Sequence, residues 1–256
     1  IGKENNYKMT QLSINVNKFA LLRNSRGTDY PNLIEICKKC ILYGANGITV
    51  HPRPDERHTK FADLKDIKNL LLDNNSKIEF NIEGYPSEFF IKKVLEVSPN
   101  QVTLVPDPPE AITSSFGWDC KKNKVFLEEV VKEFQKNNIR VSIFVSPSIN
   151  TLENLELIKP NRVELYTFDY AHNYKSKSQE SIKPYKEVVN YIKKNFPIID
   201  FNAGHDLNLE NLNFFLKEIT SIKEVSIGHA IVIDSINFGL KNTIQKYLKI
   251  IKDVNR

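Results

Sequence analysis

The sequence predicts an α/β fold, a single (β/α)8 barrel of parallel strands with additional short helices, and three observations carry that prediction. Short β-branched or alternating runs alternate strictly with longer amphipathic stretches, and there are eight of each. The chain has 256 residues, close to the ~250 that one such barrel uses. No linker or shift in composition divides it. Strict alternation calls for parallel strands joined by crossover helices, and eight units suffice to close the sheet. A doubly wound open sheet is the alternative topology.

In chain order, strands are expected at 12–16, 47–51, 78–83, 101–105, 140–145, 162–167, 198–202 and 224–228. Each is a short run with β-branched or alternating apolar residues. Helical periodicity fills 32–43, 63–73, 87–97, 124–137, 151–158, 182–195, 209–219 and 234–253. The barrel domain is read as 12–256, and residues 1–11 as an extension, native or a cloning remnant. The connection at 106–122 is long for a βα loop and is a candidate lid. Pro106, Pro108 and Pro109 stiffen its base, and Phe116 and Trp118 either close over a ligand or pack on the barrel rim.

Composition narrows the function. Hydrophobic residues make up 41%, enough for a sizeable core, and 36 Lys and Arg stand against 31 Asp and Glu for a net charge of +5. The basic residues are scattered, so nucleic acid is not an expected partner, although a mildly basic surface steers phosphorylated substrates. No apolar run reaches the ~20 residues that span a bilayer, so no membrane partner is expected. A polar N-terminus and only three cysteines point to a reducing, cytoplasmic setting. Cys37 and Cys40 form a CxxC inside a helical pattern and read as core or helix-surface thiols.

In a barrel of this kind the active site lies at the C-terminal strand ends. All five histidines are expected there: His51 and His58 after the second strand, then His172, His205 and His229 after the sixth, seventh and eighth, none of them on a helix. Asn15 and Asn17 at the first strand, Glu83 closing the third, Glu164 within the sixth and Asn202 in the seventh join them. A carboxyl at the mouth of an apolar strand is partly desolvated, which raises its pKa toward the range of a general acid/base. The alternative for Glu83 and Glu164 is a structural ion pair inside the barrel. Gly204-His205 and Gly228-His229 let backbone amides approach an anion at the two loops where such barrels bind phosphate. Arg26 and Arg53 are further anion ligands. His51, Asp55 and His58 lack the spacing of a helical zinc site, so no metal is expected. Lys18 is the one lysine near a strand end suited to imine chemistry.

These same residues resemble the pyridoxine 5′-phosphate synthase family, from about Leu12 to Tyr247. The stretches that carry the resemblance are 15–18, 22–27, 47–58 (GITVHPRPDERH), 81–83, 104–106, 202–205 (NAGH) and 227–230 (IGHA). The resemblance implies a cytoplasmic, cofactor-free enzyme assembled as an octamer of barrels. It would condense 3-amino-2-oxopropyl phosphate with 1-deoxy-D-xylulose 5-phosphate to pyridoxine 5′-phosphate, phosphate and water. It implies His51 and Glu83 as acid/base groups, His205 as proton donor and Glu164 as a carboxylate assisting the transition state. Asn15 and Arg26 would hold the amino ketone phosphate, Arg53 and His58 the deoxyxylulose phosphate, and Gly228 and His229 a phosphate. Asn17, Lys18 and Asp206 depart from the family's commonest Asp, His and Gly; with Ser114 they are taken as substrate contacts. Other readings are an isomerase or epimerase of sugar phosphates, or a catalytically silent phosphometabolite-binding protein.

Overall fold

The computed structural model describes residues 9–73, 77–107 and 114–254. Eight parallel strands close a barrel in chain order: β1 (Gln11–Asn15), β2 (Gly47–Val50), β3 (Glu79–Gly84), β4 (Gln101–Leu104), β5 (Arg140–Val145), β6 (Arg162–Tyr166), β7 (Asp200–Gly204) and β8 (Ile222–Ile227). Closure is made by β1 and β8, with Gln11 opposite Glu224 and Ile14 opposite Ile227. The expected strands and the observed ones agree within two residues. β7 starts later than expected because Ile198, 84% exposed, lies outside the strand it seemed to open.

The helices are α1 (Asn17–Ser25), α2 (Leu33–Leu42), α3 (Phe61–Asp73), α4 (Glu88–Val97), α5 (Lys124–Lys136), α6 (Leu155–Ile158), α7 (Phe168–Asn195), α8 (Leu212–Glu218), α9 (His229–Phe238) and α10 (Leu240–Val254). A 3₁₀ turn at Ile149–Leu152 precedes α6. Two starts are capped as their sequences suggest: the Asn32 side chain accepts the Glu35 N–H at 2.9 Å, and Ser87 Oγ accepts that of Phe90 at 3.2 Å. Helix α1 was not expected, since nine residues starting straight from a strand show little periodicity. The single helix read at 234–253 is two, divided at Gly239, whose φ of +73° favours glycine. Helix α7 starts at Phe168 and not at 182, with a kink at Lys177.

The apolar core lies between strands and helices. Leu12, Ile14, Ile48, Val50, Val102 and Val163 point outward onto helix residues such as Leu64, Val94, Leu127, Phe134 and Tyr247, all fully buried. Each such side chain contributes about 1.5–3 kcal/mol by leaving water. The barrel interior, by contrast, is polar and hydrogen-bonded from strand to strand. Ser13 and Thr49 hydroxyls meet at 2.7 Å, Asn81 Nδ2 donates to Thr49, and Thr103 Oγ1 donates to Asn81 Oδ1 at 3.0 Å. The floor is built by Arg140 and Arg162. Arg140 pairs with Glu79 and donates to Gln101 Oε1; Arg162 donates to Gln101 and Asn202 and lies 3.5 Å from Glu224. Most groups of this polar interior are partnered, while among the described residues Gln101 Nε2, Ser142 Oγ, Arg162 Nε, Glu164 Oε2 and Glu224 Oε1 are buried without a hydrogen-bond partner.

Candidate active site

The strand ends bring most of the expected residues to one mouth. His51 follows β2; its N–H donates to Asn17 Oδ1 at 2.9 Å, and Thr59 Oγ1 donates to the same oxygen at 2.7 Å. Asn24 Nδ2 donates to the carbonyls of Glu56 and His58. Helix α1 thereby shapes the β2 loop, and Arg23 locks α1 to α3 through a bidentate pair with Asp63 at 2.8 and 2.9 Å. Asn17 was singled out in the sequence, but Arg23 and Asn24 were not, because the helix that carries them was not expected.

Glu83, next to last in β3, has its Oε2 3.8 Å from His51 Nδ1, and Asn15 Nδ2 donates to it at 3.4 Å. Burial, then the charges of Glu224 and Asp107, push the Glu83 carboxyl up to about 8 against a weaker pull from Arg53. Burial first, then the charges of Arg53, His58 and Arg57, hold His51 well below the usual imidazole range. Burial and the same two arginines depress His58 to about 4. The contact therefore has the geometry of an ion pair, but near neutrality it holds a protonated carboxyl beside an unprotonated imidazole. Such a pair can give and take protons in turn.

Glu164 points into the barrel, as its alternation with Val163 and Leu165 requires. Its pKa is raised well above the carboxylate range by burial and by Glu83. No Arg or Lys lies within ion-pair distance among the described residues, and its Oε2 is buried without a hydrogen-bond partner among them. A Cβ on Gly204 would sit 2.6 Å from Glu164 Oε1. Gly204 therefore makes room for the Glu164 carboxyl, a steric role beside the backbone approach to an anion expected of this glycine. Gly204→Ala is expected to displace Glu164 and lower kcat about tenfold or more by loss of acid/base geometry; steady-state kinetics on a variant with an unchanged far-UV spectrum measures it.

Arg53 is buried, and its Nη2 donates to Asp107 Oδ2 at 2.6 Å. Ser114 Oγ donates to the same oxygen at 2.7 Å, and Tyr166 Oη donates to the Ser114 carbonyl. Asp107, which ties the β2 loop to the β4 loop, was not singled out in the sequence; only its place just past a strand end pointed to it. Lys18 sits where its charge acts on both His58 and Asp206. Gly228 caps α9, whose first turn has no side-chain cap, leaving N–H groups at the mouth. A Cβ at Gly228 would lie 3.0 Å from Asn15 Cβ.

Two expectations change. His172 lies within α7 and His229 is the first residue of α9, so two of the five histidines are helical. Exposed His172 stacks on Phe168 and belongs to the rim. Arg26 is exposed at the end of α1. Of the loop at 106–122, residues 108–113 lie outside the described residues, while Trp118 is fixed packing. It is 3% exposed, donates from Nε1 to Leu104 O at 2.9 Å and stacks on Tyr85. Its emission is expected to be blue-shifted and its acrylamide quenching low, with and without substrates; a substrate-dependent change would contradict this packing. Among the described residues no cluster of three or more His, Cys, Asp or Glu is arranged to hold a metal ion.

The fold is shared widely. A thiamine phosphate pyrophosphorylase from Pyrococcus furiosus superposes with a TM-score of 0.60 at 13% identity, covering 98% of this chain and 99% of that one. A phosphoribosyl anthranilate isomerase from Thermotoga maritima gives 0.59 at 14%, covering 96% and 100%. At these identities the likeness concerns the barrel alone. In sequence the chain is 47% identical over 244 residues to a pyridoxine 5′-phosphate synthase of Christiangramia forsetii, covering 95% of this chain and all of that one. It is 48% identical, with the same coverage, to one of Bacteroides thetaiotaomicron. A family model, pyridoxal phosphate biosynthesis protein PdxJ, matches residues 12–253. With this match over nearly its whole length, the chain belongs to the PdxJ family of pyridoxal phosphate biosynthesis proteins.

Proposed function

We infer that this chain is a pyridoxine 5′-phosphate synthase, joining 3-amino-2-oxopropyl phosphate and 1-deoxy-D-xylulose 5-phosphate into pyridoxine 5′-phosphate with release of phosphate and water. Imine formation, dehydration and ring closure call for repeated proton transfers at one place. The observation that carries the reading is the neutral His51–Glu83 pair at the barrel mouth, 3.8 Å apart, with the carboxyl held near 8. In this reading His51 and Glu83 exchange protons with the substrates, Glu164 receives or returns a proton deeper in the barrel, and His205 protonates a leaving oxygen. Asn15, Arg26, Arg53 and His58, with Asn17, Lys18, Ser114, Gly228 and His229, surround the two phosphorylated substrates. Arg53 supplies charge-assisted hydrogen bonds and the open N-terminus of α9 supplies backbone donors.

Incubation with both substrates tests this directly. A pyridine chromophore should appear with one phosphate released per product, and each substrate alone should give neither. An isomerase of sugar phosphates would consume one substrate and release no phosphate. Gly228→Val is expected to raise KM about tenfold or more, because its side chain blocks approach to the backbone donors and crowds Asn15, with some loss of melting temperature as β1 yields. An unchanged KM would remove the phosphate site from β8.

The enzyme works as a homo-oligomer in this reading, an octamer by resemblance, in the cytoplasm. No helix among the described residues is long and apolar enough to cross a membrane. Leu21 and Leu22 of α1 and Ile233, Ile236 and Phe238 of α9 are exposed on two helices that pack together. Apolar surface of that kind supports self-association. Light scattering at micromolar concentration gives the state.

A further inference from the structure

The turn after β7 has a feature that neither substrate binding nor a glycine cradle explains. His205 and Asp206 are consecutive non-glycine residues with positive φ, +92° and +59°. Such backbone is strained for an L side chain and persists only where surroundings hold it. Here they do. Thr167 Oγ1 donates to the carbonyls of Gly204 and His205, and Asn211 Nδ2 donates to the Asp206 carbonyl. The Tyr166 ring meets the His205 ring edge-on at 4.8 Å. The conformation brings His205 Nδ1 to 3.0 Å from Asp206 Oδ2.

We propose that Asp206 is a positioning residue for His205: its carboxylate accepts the Nδ1 proton, fixes ring and tautomer, and leaves Nε2 as the nitrogen that exchanges protons with substrate. The hydrogen bond to His205, then the charges of His205, His229 and Lys18, hold the Asp206 carboxyl below the usual carboxylate range. It is therefore ionised near neutrality, and an ionised carboxylate has only acceptors. The 3.0 Å contact then requires Nδ1–H as donor. A neutral His205 in this state carries its lone pair on Nε2. When protonated there it becomes an imidazolium beside a carboxylate, and giving the Nε2 proton to a leaving oxygen restores the starting tautomer with no net change at Nδ1. The arrangement follows the logic by which a carboxylate orients a catalytic imidazole elsewhere.

The proposal rests on His205 being a proton-transfer group of the synthase reaction, and the experiment separates the two. His205→Gln tests the underlying reading: near-normal turnover in that variant removes His205 from the chemistry. Asp206→Gly keeps the left-handed turn, where glycine is unstrained, and deletes only the carboxylate. It is expected to lower kcat about tenfold or more, less than loss of the imidazole itself, with KM for both substrates within about threefold. Asp206→Asn, whose Oδ1 still accepts from Nδ1, should keep kcat within about threefold of the unmodified enzyme. In the His205→Gln background Asp206→Gly should add no further loss, because the two residues act as one unit. Normal kcat in Asp206→Gly, or a raised KM at unchanged kcat, overturns the proposal, the latter by making Asp206 a substrate ligand. Should Asp206→Gly fail to fold, nitrogen-15 spectra of the imidazoles in the unmodified protein decide. A His205 resonance, assigned by its loss in His205→Gln, should report the Nδ1–H tautomer, and the Nε2–H tautomer overturns the dyad.

Discussion

Glu83→Gln is expected to lower kcat by about 10²–10⁴-fold, the usual contribution of a general acid/base group, while making the protein more stable at pH 7. Both effects have one cause. Burial holds the folded-state carboxyl at about 8, against 4.5 in the ordinary range. Between those values the unfolded chain releases a proton that the folded protein keeps, so rising pH favours unfolding by about 1.4 kcal/mol per unit. Integrated from the ordinary carboxyl value to pH 7, the burden is roughly 3 kcal/mol. Below pH 4.5 both states are protonated and the difference disappears. Glutamine keeps the shape of the protonated acid and cannot ionise. Calorimetry should show Glu83→Gln melting higher by about 5 °C or more at pH 7 and almost unchanged near pH 4.5. Turnover by the unmodified enzyme should fall above pH 8 as the acid form is lost. A variant with kcat within tenfold of normal, or one that melts lower at pH 7, would sink this account of Glu83.

The barrel was legible in the sequence because strand and helix signals alternate, and that signal depends on burial against the helices. Leu12 and Ile14 or Val163 and Leu165 announce a strand by what they hide on its outer face. The inner face was legible only in part. Glu83 and Glu164 stood out as carboxyls in apolar alternation, but Glu224 did not, because Lys223 beside it makes the start of β8 look like an exposed helix-to-strand turn. Helix α1 was invisible for a different reason. Its nine residues bury Asn17, Phe19, Ala20 and Arg23, a half-polar set without an apolar stripe. Its stability comes from partners distant in sequence, Asp63 and the His51 N–H among them, and no local pattern encodes those. The same holds for Asp107, whose importance lies in joining Arg53 to Ser114 across the mouth.

The carboxyls inside the barrel form a connected set. Glu83 is pushed up by Glu224, Glu164 by Glu83, and Glu224 by Glu164, with burial the larger cause each time. Protonation of one therefore eases ionisation of the next. This column stands on two arginines at the floor, so the tuning at the mouth depends on residues at the opposite end of the strands.

Arg162→Met tests that dependence and is expected to destabilise the protein by about 3–5 kcal/mol, the effect of stripping a buried carboxylate of its cation. Arg162 lies 3.5 Å from Glu224, whose side chain is 3% exposed, and also donates to Asn202 and Gln101. Even with this partner Glu224 is pushed up to about 7 by burial. Methionine matches much of the stem's volume, so the loss is chiefly one of charge and hydrogen bonds, and the remaining pull of Arg140 places it toward the lower figure. The pH dependence fixes the cause. Because the folded-state value of Glu224 lies above its unfolded one, stability falls as pH rises through that interval. Removing Arg162 raises the folded-state value further and extends the fall to higher pH. Urea unfolding should therefore show a larger loss at pH 8 than at pH 5, and Arg162→Met/Glu224→Gln should recover much of it. Equal losses at the two pH values would mean that Arg162 supports the floor by packing alone and that the column of carboxyls does not rest on its charge.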